Sequence, residues 1–227
     1  MRFDGHWITA MVRGTRDLTP GIREFTLAPE VGAAPYATGS HLCVRVMVDG
    51  RTDLRRYSLV GDQPQDGCWR IAVKREEPGR GGSRYMWSLP VGARLEVTAP
   101  DSFFQLSGDA PEYLLVAGGI GITPIRGMAS ALRRRGASFR MLYAGRSRAE
   151  MAYLGELEAE LGAQLDHGFP PLHVVALGGA RPVDEVEVTW SRPSRSSDCA
   201  RAAGASRWRS FHSLVVTYSS SRAIPDA

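Results

Sequence analysis

The hydrophobic pattern of the chain changes near residue 110, and this change predicts two domains of different architecture. Before residue 110, six short segments have alternating or β-branched residues; they cover 7–13, 22–27, 41–48, 57–60, 69–75 and 94–98. Gly, Pro and Asp clusters separate these segments, as they separate the strands of a small antiparallel barrel. The polar stretch 107–111 is the predicted domain boundary.

After the boundary the pattern becomes strand, helix, strand, helix. Residues 113–117 and 139–144 are predicted strands, and residues 124–135 have their apolar side chains on one helical face. The sequence Ser147–Glu150 has the pattern of a capping box and precedes a second amphipathic helix. Units that alternate in this way predict a parallel sheet covered by helices.

The C-terminal part of the chain does not continue this pattern. Residues 191–222 contain ten serines and six arginines, with a possible short strand at 214–218, and are otherwise predicted to be disordered. Lys74 is the only lysine, and an arginine bias of this kind is expected of a GC-rich gene. We therefore hypothesise that residues from about Thr189 onward are read out of frame, which would leave the parallel sheet without its last strands.

Composition excludes several function classes. The net charge of +4 comes entirely from residues 191–227, which contain six arginines and two acidic residues, Asp198 and Asp226. The charges of the rest of the chain sum to zero, so no nucleic-acid partner is predicted. The chain has no apolar run long enough to span a bilayer and no secretory signal at its start, and it is predicted to be cytoplasmic without a membrane partner. Cys43, Cys68 and Cys199 are too far apart to be metal ligands, so no metal site is predicted.

Three motifs carry the functional prediction. Arg55-Arg56-Tyr57-Ser58-Leu59 offers a cation, a flat ring and a hydroxyl, although a barrel strand with an exposed arginine would read the same way. Gly79–Ser83 precedes a short apolar helix and is either a phosphate cradle capped by Ser83 or a flexible turn. Ala117–Pro124 is a glycine-rich turn between a strand and a helix, suited to a pyrophosphate, with Thr123 as the helix cap; it can also be purely structural.

These motifs, in this order, closely resemble the ferredoxin reductase superfamily, and the phthalate dioxygenase reductase type within it. Further matching positions are Gly39–His41, Val73–Glu76, Pro100 with Phe104, and Tyr143–Ser147, so that the resemblance covers about residues 7–165. It implies a six-stranded antiparallel flavin-binding barrel (residues 1–109), an incomplete parallel-sheet NAD(P)-binding domain (110–190) and an atypical tail (191–227).

The resemblance also implies roles for individual residues. The flavin side of the site comprises Arg55, Tyr57, Ser58, Leu59, Lys74, Gly81, Gly82 and Ser83. The nucleotide side comprises Gly118, Gly119, Gly121, Thr123, Arg146 and Ser147. Ser58, expected near the reactive nitrogen of the flavin, and Thr123 are the predicted catalytic residues.

The activity implied is transfer of electrons from NADH or NADPH to a bound flavin, FMN rather than FAD, and then to a separate ferredoxin-like or oxygenase partner. The sequence lacks the Cys-Gly-Pro strand end and the four clustered cysteines that members of this type usually carry, so no iron-sulfur cluster is expected in this chain. The alternative is a flavin-binding fragment whose nucleotide domain is defective and which does not turn over.

Overall fold

The structure, a computed structural model, describes residues 7–102, 104–106, 110, 112–168, 172–176, 186–190 and 213–218. The first hundred residues form six antiparallel strands in the order β4-β3-β6-β1-β2-β5. These strands are β1 (Trp7–Thr19), β2 (Ile22–Pro29), β3 (His41–Val48), β4 (Arg51–Ser58), β5 (Trp69–Lys74) and β6 (Arg94–Thr98). Past the end of β4, Leu59 bridges to Ile71 and the Val60 N–H donates to the Arg70 carbonyl at 2.8 Å, which closes the sheet on itself. The predicted six-stranded barrel is confirmed.

Four of the six strands differ from their predicted bounds, β2 and β5 by two residues or fewer and β1 and β4 by more. Strand β1 continues to Thr19 through two register shifts against β2, because bulges interrupt its alternation without ending the pairing. Strand β4 covers Arg51–Ser58, whereas the sequence pattern placed it at 57–60. Along its length β4 pairs only with β3, and its first three residues are exposed, so no apolar alternation marks that half of the strand.

The remaining elements build an α/β unit. Its sheet has the order β12-β7-β8-β9, with β7 (Glu112–Gly118), β8 (Ser138–Ala144) and β9 (Leu165–Gly168) parallel and β12 (Ser213–Tyr218) antiparallel to β7. Helix α2 (Ile122–Arg134) connects β7 to β8, and helix α3 (Leu154–Leu161) lies between β8 and β9. Strands β10 (Leu172–Ala176) and β11 (Val186–Trp190) pair with each other. The three parallel strands confirm the predicted α/β unit, and β12 confirms the possible short strand; the rest of the tail, like the boundary apart from Ala110, lies outside the described residues.

The predicted helix caps are wrong in all three places. Helix α1 (Gly82–Ser88) follows Gly81, and the Ser83 hydroxyl accepts the Glu76 N–H at 3.2 Å instead of a helix N–H. Thr123 lies inside α2 and donates to the Ile120 carbonyl at 3.0 Å. Ser147–Glu150 forms a single 3₁₀ turn, and α3 begins only after Tyr153. For Ser83 and Thr123 the hydroxyl has a nearer backbone partner than the N–H groups of the helix.

The two domains share buried residues. One apolar cluster fills the barrel, and the cluster of the α/β unit extends into the barrel wall through Ile22, Val60 and Ala72. On β2, Phe25 and Leu27 point into the barrel while Ile22 and Glu24 are buried on the other face. Successive side chains of a strand point to opposite faces, so β2 forms part of both the barrel wall and the domain contact.

Within the described ranges, no helix is long and apolar enough to cross a membrane. In the same ranges, no group of three or more His, Cys, Asp or Glu side chains is arranged to hold a metal ion.

Candidate functional site

The Arg55 side chain lies over the glycine turn that begins helix α1. A Cβ atom on Gly82 would lie 2.9 Å from Cγ of Arg55 and 3.0 Å from its Cδ, so only glycine fits. Arg55 donates from Nη2 to the Arg80 carbonyl at 3.2 Å and from Nη1 to the Asp53 carboxylate at 2.5 Å. The hydrogen bond from Arg55 lowers the pKa of Asp53, which therefore stays ionised and partly neutralises the guanidinium.

The start of α1 supplies anion-binding groups next to this arginine. The first N–H groups of a helix have no acceptor within the helix, and here they belong to Gly82 and the residues after it. Gly81 has φ +80°, and a Cβ at that position would meet Val48 Cγ1 at 2.8 Å. A guanidinium beside free N–H groups is suited to a phosphate, and the turn is narrow enough to require both glycines.

Strand β4 ends with the aromatic and hydroxyl groups of the first motif. Tyr57 is half-buried against the barrel core, and burial raises its pKa to about 12, so its hydroxyl stays protonated. Ser58 is also half-buried, and its hydroxyl has no hydrogen-bond partner among the described residues. Leu59 differs from these two: its side chain is fully buried in the barrel and its N–H donates to the Ser40 carbonyl at 2.8 Å. The side chain and the N–H of Leu59 are therefore not available to a ligand.

Lys74 and Ser83 lie at the two ends of the loop that connects β5 to α1. Lys74 ends β5, is half-buried, and has no carboxylate partner in the described part of the chain. Ser83 fixes the other end of the loop through its contact with the Glu76 N–H. A half-buried ammonium group without a carboxylate partner leaves a charge available to an anionic ligand.

The second glycine turn lies at the C-terminal end of β7. Gly118 ends the strand, Gly119 has φ +52° and is open to solvent on its Cα, and Gly121 is buried where α2 begins. The Thr123 hydroxyl is bonded within the turn, to Ile120. Thr123 therefore shapes this turn, and its hydroxyl proton is already committed.

Arg146 and Ser147 lie beside that turn because β7 and β8 are parallel neighbours. Gly118 and Ala144 are register partners, so the chain following each strand leaves the same sheet edge. The Arg146 side chain is 77% exposed and pairs with Glu150 at 2.8 Å. The Ser147 carbonyl accepts the Glu150 N–H at 3.1 Å. Ligands of open α/β sheets bind at this edge, beyond the carboxyl ends of the strands.

The second glycine turn lies at the contact between the two domains. Strand β5 of the barrel, which ends at Lys74, contacts the turn Gly119–Gly121. The first glycine turn lies on the barrel, and the second lies on the α/β unit.

Sequence reasoning missed the residues that hold these turns in place. The Tyr143 hydroxyl is placed to donate to the carbonyls of Gly119 (3.3 Å) and Ala152 (3.1 Å), and burial raises its pKa. Gly145 would place a Cβ against the Met151 side chain. Both belong to the run Tyr143–Ser147 noted above, but only the fold shows which groups they contact.

Comparison with known proteins agrees with this arrangement. Residues 12–105 match the family described as "Oxidoreductase FAD-binding domain". The chain is 40% identical over 156 residues to the heme-dependent oxidative N-demethylase beta subunit of Ectopseudomonas mendocina (strain ymp), covering 68% of this chain and 50% of that protein. It is 38% identical over 158 residues to phthalate dioxygenase reductase of Burkholderia cepacia, covering 66% and 48%.

A solved structure of phthalate dioxygenase reductase, titled as a modular structure for electron transfer from pyridine nucleotides, superposes with a TM-score of 0.66 at 33% identity. The superposition covers 71% of this chain and 51% of that one. The chain spans about half the length of the relatives it matches.

A barrel with one glycine turn, packed on an α/β unit with a second, is the arrangement that the chain shares with this reductase structure. The comparisons support the resemblance to the ferredoxin reductase superfamily that the sequence motifs indicate. Within it, the similarity to phthalate dioxygenase reductase agrees with the type that the sequence motifs predicted.

Proposed function

We propose that this chain is a reductase that accepts hydride from NAD(P)H on a bound flavin and passes electrons to a separate ferredoxin-like or oxygenase partner. One observation carries the proposal: two glycine turns suited to phosphates lie on two domains that share a buried core, with β5 of one domain in contact with the turn of the other. In this proposal residues 1–109 bind the flavin, residues 110–190 bind the dinucleotide, and residues 191–227 are a tail.

The residues on the flavin side fit a flavin phosphate. Arg55 and the first N–H groups of α1 would hold the phosphate, and Lys74 adds a positive charge at the end of β5. Asp53 holds Arg55 in place, and a phosphate would compete with it for the guanidinium. The requirement for glycine at 81 and 82 keeps the backbone close to that anion.

The reacting groups follow from the same geometry. A bound flavin supplies the redox chemistry, accepting a hydride and releasing electrons one at a time. The protein holds the two rings together and excludes water. Tyr57 would pack on the flavin ring, and Ser58, whose hydroxyl is uncommitted in the described structure, would donate a hydrogen bond to it. Thr123 would act by keeping the nucleotide turn in shape.

The nucleotide side would bind the pyrophosphate at Gly118, Gly119 and Gly121, where α2 begins. Arg146 and Ser147 would lie near the ribose. The 2′-phosphate of NADPH would need an arginine, and the two arginines of this loop already have partners: Arg146 pairs with Glu150 at 2.8 Å, and Arg148 pairs with Glu158 at 2.5 Å. We therefore propose NADH as the preferred substrate.

The flavin itself is proposed to be FMN on the sequence resemblance, whereas the name of the matching family favours FAD. Mass spectrometry of the flavin released from purified protein distinguishes the two, because only FAD carries the adenylate half.

Anaerobic titration with NADH, followed by the flavin absorbance, tests the reductase. Rapid bleaching is expected. A second candidate function, a flavin-binding protein without turnover, is favoured by β12, which runs antiparallel to β7 at the position where a parallel α/β sheet would continue. A flavin that is bleached by dithionite but by neither NADH nor NADPH would establish that candidate and refute the reductase.

A further inference from the structure

A buried hydrogen bond joins the two domains at a point that the proposed chemistry does not use. Tyr153 donates its hydroxyl to Oε2 of Glu24 at 2.7 Å. Tyr153 precedes α3 in the α/β unit, whereas Glu24 lies on barrel strand β2, and the two are 4% and 6% exposed. Burial and the Glu24 carboxylate both raise the pKa of Tyr153, so its hydroxyl remains a donor.

Glu24 occupies a position where a carboxylate is costly without partners. Its neighbour on the same face of β2, Ile22, packs in the shared apolar cluster. A buried charge is tolerated when hydrogen bonds satisfy it, and here Arg16 Nε lies 3.4 Å from the other carboxylate oxygen. The Tyr153 hydroxyl adds a second partner to the Glu24 carboxylate only when the α/β unit keeps this position on the barrel.

Two arginines extend the contact. The Arg126 guanidinium, on α2, lies 4.5 Å from the centre of the Tyr153 ring and is 11% exposed. Glu156 forms an ion pair with Arg126 Nη1 at 2.6 Å and accepts a hydrogen bond from Arg16 Nη1 at 2.8 Å, so it bridges the α/β unit to the barrel. These five residues, Arg16, Glu24, Arg126, Tyr153 and Glu156, form what we call the interdomain latch.

The latch is adjacent to both segments that form the nucleotide side of the site. Arg126 follows the turn Gly118–Gly121 on α2, and Tyr153 follows the loop that carries Ser147. On the barrel side, Glu24 is on the strand whose Ile22 pairs with Lys74. The latch therefore ties the nucleotide turns to the strands next to the flavin side.

Tyr153 also has a backbone conformation that requires support. Its φ is +63°, in the left-handed region, which is unfavourable for a residue with a Cβ atom. The side chain is held between Glu24 and Arg126, and these contacts offset that cost. Outliers of this kind cluster where the position of a functional segment is over-determined.

We propose that the interdomain latch is a positioning device, with Tyr153 and Glu24 at its centre, that sets the angle between the domains and so the approach of the nicotinamide to the flavin. This inference rests on the proposed function. It predicts that loosening the latch slows hydride transfer while the flavin stays bound, since no latch residue belongs to the flavin side of the site.

The test compares Tyr153→Phe with Tyr36→Phe as a matched control. Tyr36 donates to the Val60 (3.3 Å) and Gln63 (3.2 Å) carbonyls, both within the barrel, so that variant loses a hydroxyl without cutting a link between domains. For Tyr153→Phe, the limiting rate of flavin reduction at saturating NADH is expected to fall by roughly tenfold or more, since small misplacements of reacting groups are that costly. Flavin affinity should not change.

Hydrogen exchange of the flavin-free protein supplies a readout apart from activity. Exchange in β2 and around residue 153 should speed up in Tyr153→Phe and not in Tyr36→Phe. The variant Glu24→Gln retains an oxygen that can accept the hydrogen bond from the Tyr153 hydroxyl, and it should keep most of the reduction rate.

The outcomes separate the two proposals. If NADH does not reduce the unaltered protein, the proposed function fails and the positioning role falls with it. If the unaltered protein is reduced and Tyr153→Phe matches it in rate and exchange, the proposed function stands and the latch is overturned. A loss of flavin affinity equal to the loss of rate would also overturn it, because that pattern indicates general destabilisation.

Discussion

Replacement of Gly127 by alanine would act as a wedge between the domains. Gly127 lies on the face of α2 that rests on the barrel, and a Cβ there would collide with the Gly61 carbonyl oxygen and lie 2.7 Å from its carbon. Carbon atoms in contact are roughly 3.5–4.0 Å apart, so the helix and the loop must separate by about 1 Å. The atoms on the other side are backbone and cannot rotate away.

Two opposing terms set the expected size of this effect. Alanine is favoured over glycine inside a helix by about 1 kcal/mol, whereas overpacking costs about 1–3 kcal/mol. Because the obstacle is backbone, we expect overpacking to dominate and the free energy of unfolding to fall. Gly155→Ala is the matched control: Gly155 is an exposed residue of α3, a Cβ there meets nothing within 4 Å, and the variant should gain about 0.5–1 kcal/mol.

Urea unfolding followed by circular dichroism measures both variants. The separation of about 1 Å should also slow reduction by NADH, on the order of 10²-fold at most, because the two sides of the site lie on different domains. If Gly127→Ala proved as stable as Gly155→Ala and was reduced at the unaltered rate, α2 would not rest on Gly61 as described. The reasoning about the domain contact would then be refuted.

Three further predictions concern the flavin side and the domain contact. Arg55→Ala should weaken flavin binding by at least roughly tenfold, the loss expected for a charge-assisted hydrogen bond. The control Arg45→Ala, which removes a barrel arginine paired with Glu96 at 2.6 Å, should not weaken it. Equilibrium dialysis measures flavin affinity in both variants, and equal losses would contradict the assignment of Arg55. Gly82→Ala should lower flavin retention on purification because its Cβ would displace Arg55, and full retention would argue against the cradle. Burial raises the pKa of Glu156, but Arg126 and Arg16 outweigh it and the net pKa is lowered, so its contribution to stability is present above about pH 4.5, its unfolded value, and is lost as pH falls through the lower folded value. Unfolding of Glu156→Gln at pH 7 and at pH 3.5 should show a smaller difference than that of the unaltered protein, and an equal difference would exclude the ion pairs.

Patterns along the chain were sufficient where local sequence determines the structure. Alternation predicted strands such as β3 and β6 at their observed bounds, because one face of each is mostly buried and most side chains of the other face are not. The glycine turn before α2 was visible because a strand, glycines and an apolar helical face follow in order. Strand β4 was misplaced because it is an edge strand whose first residues are polar and exposed.

The helix starts were wrong for a related reason. Ser83, Thr123 and Ser147 have the residue types of caps, but a hydroxyl bonds to whichever backbone group the fold brings nearest. Glu76 and Ile120 supply those groups for Ser83 and Thr123. Residue type predicts a tendency to cap, and tertiary contacts decide which donor or acceptor is available.

By itself the sequence predicted a barrel followed by an α/β unit, two glycine turns and a resemblance to a family of reductases that has both. These follow from hydrophobic period and from the backbone freedom of glycine, which are properties of short segments. Only the tertiary structure showed that Glu24 meets Tyr153 and that Gly127 rests on Gly61, because these partners are 129 and 66 residues apart along the chain. The role of a buried glutamate or of a glycine within a helix cannot be predicted until the residues packed against it are known.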